Sequence, residues 1–177
     1  CELAHLIYFQ NPGTNVRGGQ WPRVIPKITA GRGSWIRVFF ADYDGDGLLD
    51  MYISYQYSNQ QKTSGPVPWV GDESSGQENQ LWHNEGNGRF RDVTESSGTA
   101  GGRRNSFAAV WFYADDDHLP DLYVANDFGR NNLYRNDGGH FSDVAAEVGV
   151  QDVAAGIILA RWFGNEWRRL LTTFGET

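Results

Sequence analysis

Short apolar runs separated by turn-forming residues recur along the chain and fall into two sets of four. Each run is rich in β-branched or aromatic residues, and Gly, Asn, Asp or Ser stands between one run and the next. Such runs predict β-strands. The predicted strands cover residues 36–41, 50–55, 80–84, 89–94, 107–112, 121–126, 133–136 and 140–144, with an earlier strand at 6–9.

The second set of strands repeats the first. Residues 79–93 return, one residue shorter, as 131–144, and residues 42–53 return as 113–124, an offset of 71. Asp92-Val93 and Trp111-Phe112 recur at an offset of 51. Four strands in a unit of about 50 residues are typical of a β-propeller blade. The sequence therefore predicts an all-β fold, a partial β-propeller built from four-stranded blades.

The repeats also divide the chain. Residues 1–35 are expected to end a preceding blade, 36–105 to form the first full repeat, 106–153 the second, and 154–177 a degenerate start of a third. The difference of 20 between the two offsets lies mostly in an inserted loop at 57–78, which is rich in Ser, Gly, Gln and Pro. Such an insertion is either a binding loop or a tolerated surface insertion, and the sequence leaves both open.

Composition agrees with strands and turns. Of the 177 residues, 40% are hydrophobic, and 7 Trp, 8 Tyr, 10 Phe and 22 Gly favour aromatic strands joined by glycine turns over a helical bundle. No apolar run approaches the roughly 20 residues that a membrane-spanning helix needs. Cys1 is the only cysteine, so no disulfide can form within the chain.

Negative charge is concentrated in two short clusters. The formal net charge is −7, and without eight aspartates it would be +1. The eight are Asp42, Asp44, Asp46, Asp50, Asp115, Asp116, Asp117 and Asp121. A nearly neutral protein with two acidic loops is a poor partner for nucleic acid, and the loops point to cations instead.

The first cluster has the spacing of a calcium loop. In residues 42–50, carboxylates occupy positions 1, 3, 5 and 9, and Gly47 at position 6 permits a sharp bend. Ca²⁺ takes six to eight oxygen ligands at about 2.3–2.6 Å, which alternating carboxylates in a tight loop can supply. The predicted metal ligands are Asp42, Asp44, Asp46, the carbonyl of Leu48, and Asp50.

Two other interpretations of this loop are weaker. An EF-hand needs Glu at the twelfth position and helical flanks, whereas this chain has Ile53 there and predicted strands on both sides. A solvated turn, with aspartates capping backbone amides, is the remaining alternative. It would leave four neighbouring carboxylates to repel one another, so the pattern favours a bound cation.

The second cluster is a partial copy. Aligned on its last carboxylate, it keeps Asp115, Asp117 and Asp121 with the carbonyl of Leu119 as predicted ligands. Tyr113 replaces the first carboxylate, and the glycine of position 6 becomes His118. The loss of one charged ligand lowers the expected affinity, so metal binding here stays open. The third copy has Gly164, Glu166, Arg168 and Thr172 at the ligand positions, and no third site is predicted.

The first acidic loop and its flanking strands resemble the FG-GAP/VCBS repeats, the calcium-binding propeller repeats of integrin α-chain heads and many bacterial secreted proteins. The resemblance is carried by Phe40-Ala41-Asp42-Tyr43-Asp44-Gly45-Asp46-Gly47-Leu48-Leu49-Asp50-Met51-Tyr52-Ile53. Residues 121–126, 132–136 and 141–145 look most like the branch related to cartilage acidic protein and ASPIC/UnbV-domain proteins, and 8–13 with 21–25 resemble the end of a preceding blade.

This resemblance covers about residues 5–163 and sets the expectations for function. It implies a calcium-stabilised propeller that is extracellular, periplasmic or at the cell surface and that acts in adhesion or interaction without catalysis. A closed propeller needs about four to eight blades, so further blades are expected beyond this chain.

Catalytic motifs do not emerge from the sequence. There is no G-x-S-x-G elbow, P-loop or dinucleotide fingerprint. The histidines lie in different segments without metal-ligand spacing, and those at 83 and 140 are expected to be surface imidazoles beside hairpin turns: His5, His83, His118 and His140.

The leading interpretation is a calcium-binding structural, adhesion or interaction module, with a protein or carbohydrate ligand and no catalytic residue. The alternative is part of a propeller-type polysaccharide lyase or sugar dehydratase. Such an enzyme would need acid–base residues gathered in a central cleft.

Overall fold

The computed structural model describes residues 8–9, 23–24, 36–56, 73–74 and 76–151. Most of the insertion at 57–78 and the degenerate repeat at 154–177, including its four ligand positions, therefore lie outside the described residues. Of the expected preceding blade, only residues 8–9 and 23–24 are described.

The described elements are almost entirely strands. In chain order they are β1 Tyr8–Phe9, β2 Arg23–Val24, β3 Ile36–Ala41, β4 Asp50–Tyr55, β5 Gln80–Asn84, β6 Phe90–Asp92, α1 Thr94–Ser97, β7 Asn105–Phe112, β8 Asp121–Asp127, β9 Asn132–Asp137 and β10 His140–Asp143.

The strands form two antiparallel four-stranded sheets, each a meander in chain order. The first sheet has the order β3-β4-β5-β6 and the second β7-β8-β9-β10, while β1 and β2 form a separate antiparallel pair. These sheets correspond to the two predicted sets of four strands, so the all-β prediction is confirmed. Among the described residues, no helix is long and apolar enough to cross a bilayer.

The end of the first repeat differs from the prediction. The expected strand at 89–94 stops at Asp92, and one helical turn, α1, follows at Thr94–Ser97. Asp92 Oδ1 accepts hydrogen bonds from the backbone N–H of Thr94 at 3.1 Å and from its hydroxyl at 2.6 Å, and this local pairing turns the chain out of the sheet. The turn ends at Gly98, whose φ of 85° lies in the left-handed region.

The two sheets pack face to face through apolar side chains. Tyr52 of β4 meets Trp111 of β7 edge to face, with ring centroids 6.3 Å apart. In the loop between β3 and β4, the ring of Tyr43 lies 5.6 Å from Phe141 of β10. The shared core contains Tyr43, Tyr52, Leu81, Val93, Ala109, Leu122, Val124, Tyr134 and Phe141. Burying each large apolar side chain contributes roughly 1.5–3 kcal/mol, so this interface is a major source of stability.

Each sheet is also apolar on its other face. In the first sheet, Met51, Ile53 and Tyr55 of β4 form a separate buried cluster. In the second, Tyr123, Ala125 and Leu133 do the same. All six residues of β4 and all seven of β8 are buried, as expected for central strands covered on both faces.

Polar contacts also join the repeats. Gln56 donates from Nε2 to Asp127 Oδ2 at 2.6 Å, and these residues occupy the same position in the two repeats. Asn79 donates from Nδ2 to the hydroxyl of Ser106 at 2.7 Å. Both contacts lie at buried positions, where a lost partner is costly.

Candidate metal centre

The two acidic loops share one backbone design. Residues 42–49 join β3 to β4, and residues 113–120 join β7 to β8. The sixth position has a left-handed φ in both, at 86° for Gly47 and 63° for His118. A histidine in this conformation shows that the loop geometry persists without the glycine.

Side chains within each loop hold this geometry. In the first loop, Asp44 Oδ1 accepts from the N–H of Asp46 at 3.3 Å, and Asp46 Oδ1 accepts from that of Leu48 at 2.8 Å. The second loop has the same two bonds. Asp115 Oδ1 accepts from the N–H of Asp117 at 3.2 Å, and Asp117 Oδ1 accepts from that of Leu119 at 2.8 Å. These contacts are Asx turns, and they account for part of the regular aspartate spacing.

Asp50, predicted as the closing ligand, is a fully buried clamp. Its Oδ2 accepts from the N–H of Tyr43 at 3.2 Å, and its Oδ1 accepts from that of Asn84 at 2.7 Å. It therefore ties the start of the loop to the end of β5. Burial raises the pKa of Asp50, and the two backbone hydrogen bonds oppose that rise.

Asp121 is the same clamp in the second repeat. It accepts from the N–H of Ala114 at 2.7 Å and from that of Asn136 at 2.9 Å. Burial likewise raises the pKa of Asp121, and the hydrogen bonds from these two backbone N–H groups lower it. The repeated aspartate thus has a structural role in both loops, whatever it contributes to a metal.

The first loop gathers three of its predicted ligands. Asp42, Asp44 and Asp46 each offer an oxygen, and all three oxygens lie within 4.8 Å of one another. Two ligands of one Ca²⁺ lie at most about 5 Å apart, so these oxygens can share a single ion. The side chain of Leu48 points to solvent at the same turn.

One oxygen of Asp42 has no hydrogen-bond partner in the part of the chain that the structure describes. Asp42 Oδ2 accepts from the N–H of Gly47 at 2.9 Å, but Oδ1 is buried without a hydrogen bond. A buried carboxylate oxygen is costly unless a donor or a cation meets it. The donor set of the first loop therefore fits a hard dication.

His83 joins this group from β5, although the sequence predicted a surface imidazole. Its side chain is only 17% exposed, and Nδ1 lies 3.2 Å from Asp44 Oδ2 and 3.2 Å from Asp50 Oδ1. The register of β4 and β5 explains why His83 lies here. Met51 lies opposite Trp82, so Asp50 approaches His83. Spacing along the chain cannot reveal it.

The second loop does not gather its ligands in the same way. Within the described part of the chain, the groups of three metal-ligating atoms are Asp42/Asp44/Asp46 and Asp44/Asp50/His83, both at the first loop. Burial and the neighbouring Asp117 raise the pKa of Asp115, while the backbone N–H of Asp117 and the charge of Arg135 lower it. Arg135 stands where the first repeat has His83, so a fixed cationic side chain replaces the imidazole.

A groove of about 340 Å³ lies between the two loops. Asp42 borders it from the first loop, and Trp111, Tyr113 and His118 border it from the second repeat. Aromatic rings and polar groups both line it.

No family model, no curated protein and no solved structure matches this chain. Support for a function therefore comes from the residues and their geometry.

Proposed function

We propose that the chain is a calcium-binding β-propeller repeat module with a structural, adhesion or interaction role, and that the loop at 42–50 is its metal site. The observation that carries the proposal is the convergence of one oxygen each from Asp42, Asp44 and Asp46 within 4.8 Å, where Asp42 also has a buried oxygen without a hydrogen bond to any described residue. Carboxylates this close repel one another, and a dication bound among them turns that repulsion into attraction. No described residue is assigned a catalytic role.

The bound metal would stabilise the packing of one repeat on the other. Tyr43 belongs to the loop, its ring packs on Phe141, and its carbonyl accepts from Asn136 Nδ2 at 2.7 Å. Fixing the loop therefore fixes a contact between the repeats. Calcium in this role acts on stability rather than on chemistry.

The blade interpretation rests on the two meanders. Each repeat makes one four-stranded antiparallel sheet, and both faces of each sheet are apolar. Stacked propeller blades need such two-sided sheets, whereas a sheet with one solvated face would alternate apolar and polar residues. The resemblance to FG-GAP/VCBS repeats adds an extracytoplasmic location and a protein or carbohydrate ligand to the proposal. The groove between the loops is a place for that ligand.

Thermal unfolding with Ca²⁺ and with EDTA tests the metal site. Ca²⁺ at 100 times its Kd should stabilise the folded state by about 2.7 kcal/mol. For a chain of 177 residues this raises Tm by roughly 5–11 °C. Asp46→Asn should remove most of the rise, because it removes a ligand charge but keeps an oxygen for the N–H of Leu48.

The matched control is Asp116→Asn in the second loop. Asp116 is exposed and lies outside the predicted ligand set, and the substitution removes the same charge. The rise in Tm that Ca²⁺ causes in this variant should equal the rise in the unmodified chain. Two results would contradict the proposed site. One is equal melting curves in Ca²⁺ and in EDTA, and the other is an equal loss of the Ca²⁺-dependent rise in Tm in Asp46→Asn and Asp116→Asn.

A further inference from the structure

His83 brings a nitrogen ligand to a loop that is otherwise built from oxygens. Its Nδ1 lies 3.2 Å from one oxygen of Asp44 and 3.2 Å from one oxygen of Asp50, and the three ligand atoms lie within 4.8 Å of one another. They come from the loop, the start of β4 and β5, so the fold rather than the local sequence assembles them. Nδ1 is buried and makes no aligned hydrogen bond with another described residue.

The donor set suits a small divalent transition ion better than calcium, and the spacing is compatible with such an ion. Zn²⁺ binds imidazole nitrogen at about 2.0–2.1 Å and carboxylate oxygen at about 2.0–2.2 Å, so adjacent ligands of a tetrahedral ion lie about 3.3 Å apart. The observed separations of 3.2 Å match that edge length. Imidazole is also a preferred ligand of Zn²⁺ and other transition ions, whereas Ca²⁺ takes oxygen ligands.

We propose that Asp44, Asp50 and His83 form a mixed nitrogen–oxygen site for a divalent transition ion of the Zn²⁺ class. The proposal builds on the same loop as the proposed calcium site. Asp44 belongs to both groups of ligands, so the two ions compete for it. Asp50 keeps its backbone hydrogen bonds and offers a remaining lone pair of Oδ1, which orients it as a ligand.

Direct metal titration of the whole chain tests this site, with Zn²⁺ measured by calorimetry and Co²⁺ by its visible absorption. All measurements use a Cys1→Ser background, because a thiol would bind both ions. His83→Gln should weaken Zn²⁺ binding at least about tenfold and change the Co²⁺ spectrum, since it removes an inner ligand. Ca²⁺ binding should stay within about twofold, because the three loop oxygens remain.

Two further variants keep the result interpretable. His83→Arg introduces the residue that the second repeat has at the equivalent position, Arg135. It should weaken Zn²⁺ binding at least as much as His83→Gln. His118→Gln removes an exposed imidazole from the other loop and should leave the Zn²⁺ affinity unchanged.

The outcomes separate this inference from the calcium proposal. Unchanged Zn²⁺ affinity and Co²⁺ spectrum in both His83 variants would show that His83 only forms ion pairs, and would overturn the inference even if Ca²⁺ binds. Equal losses in His118→Gln would overturn it as adventitious binding. Zn²⁺ binding that depends on His83, in a chain that does not bind Ca²⁺, would support it and overturn the calcium site alone.

Discussion

Two buried tyrosines differ in whether the hydroxyl has a partner. Tyr55 donates its hydroxyl to Gln80 Oε1 at 2.7 Å. The hydroxyl of Tyr134 is buried without a hydrogen bond to any described residue, and burial raises the pKa of this phenol. A buried polar group costs stability when it has no partner and contributes when it has one, so the two side chains make a matched pair.

Removal of each hydroxyl should therefore have opposite effects. Tyr134→Phe should leave the free energy of unfolding unchanged or raise it by about 1 kcal/mol, and Tyr55→Phe should lower it by about 1 kcal/mol. Urea unfolding followed by circular dichroism measures both. If Tyr134→Phe lowered the free energy of unfolding as much as Tyr55→Phe does, the hydroxyl of Tyr134 would have to have a hydrogen-bond partner.

The candidate site shows which residues sequence alone can find. Asp42, Asp44 and Asp46 follow from their spacing, because a turning loop brings alternate residues to one side. His83 lies in another strand, and only the pairing of β4 with β5 places it beside Asp50. The buried clamp formed by Asp50 was also hidden, since spacing cannot distinguish a metal ligand from an acceptor of backbone N–H groups.

At the scale of elements, the repeat made the strands predictable. Four runs recur in the same order, so each copy supports the other, and all eight runs correspond to strands of the two sheets. The helical turn α1 was missed because Thr94 donates two hydrogen bonds to the side chain of Asp92, and the pattern of apolar residues does not indicate such local bonds. How the sheets face each other was not predictable in detail, because it depends on packing between residues far apart in sequence.

The acidic loops give a prediction at this scale. His118 holds a φ of 63° where the first loop has Gly47, and a left-handed conformation costs a residue with a Cβ roughly 1–2 kcal/mol. His118→Gly should therefore raise the free energy of unfolding by about 0.5–1 kcal/mol, after the greater freedom of glycine in the unfolded chain is counted.

Gly47→Ala is the reverse experiment. A Cβ at this position would meet no atom within 4 Å, so its cost reflects the backbone alone and should be about 1 kcal/mol. Both variants are measured by urea unfolding in EDTA, which removes any contribution from metal. Loss of stability in His118→Gly would indicate that the imidazole makes a stabilising contact.

At the scale of the whole molecule, one side-chain amide joins the two repeats. Asn136 donates from Nδ2 to the Tyr43 carbonyl of the first repeat at 2.7 Å and to the Pro120 carbonyl of its own repeat at 3.0 Å. Asn84 occupies the equivalent position in the first repeat, and among the described residues its Nδ2 donates only locally, to the Leu49 carbonyl at 3.0 Å. The difference between the two residues isolates the contact across the interface.

Asn136→Ala should therefore cost more than Asn84→Ala. Both substitutions remove local bonds of the same kind. In each, the side-chain oxygen also accepts from a backbone N–H of the following turn, that of Gly139 at 2.8 Å for Asn136 and that of Gly86 at 3.0 Å for Asn84. Only Asn136→Ala also leaves the carbonyl of Tyr43 without this donor at the core between the sheets. That loss should lower the free energy of unfolding by about 1–2 kcal/mol beyond the effect of Asn84→Ala. Equal losses in urea unfolding would mean that this amide does not couple the repeats, and that the stability of their interface comes from its other contacts.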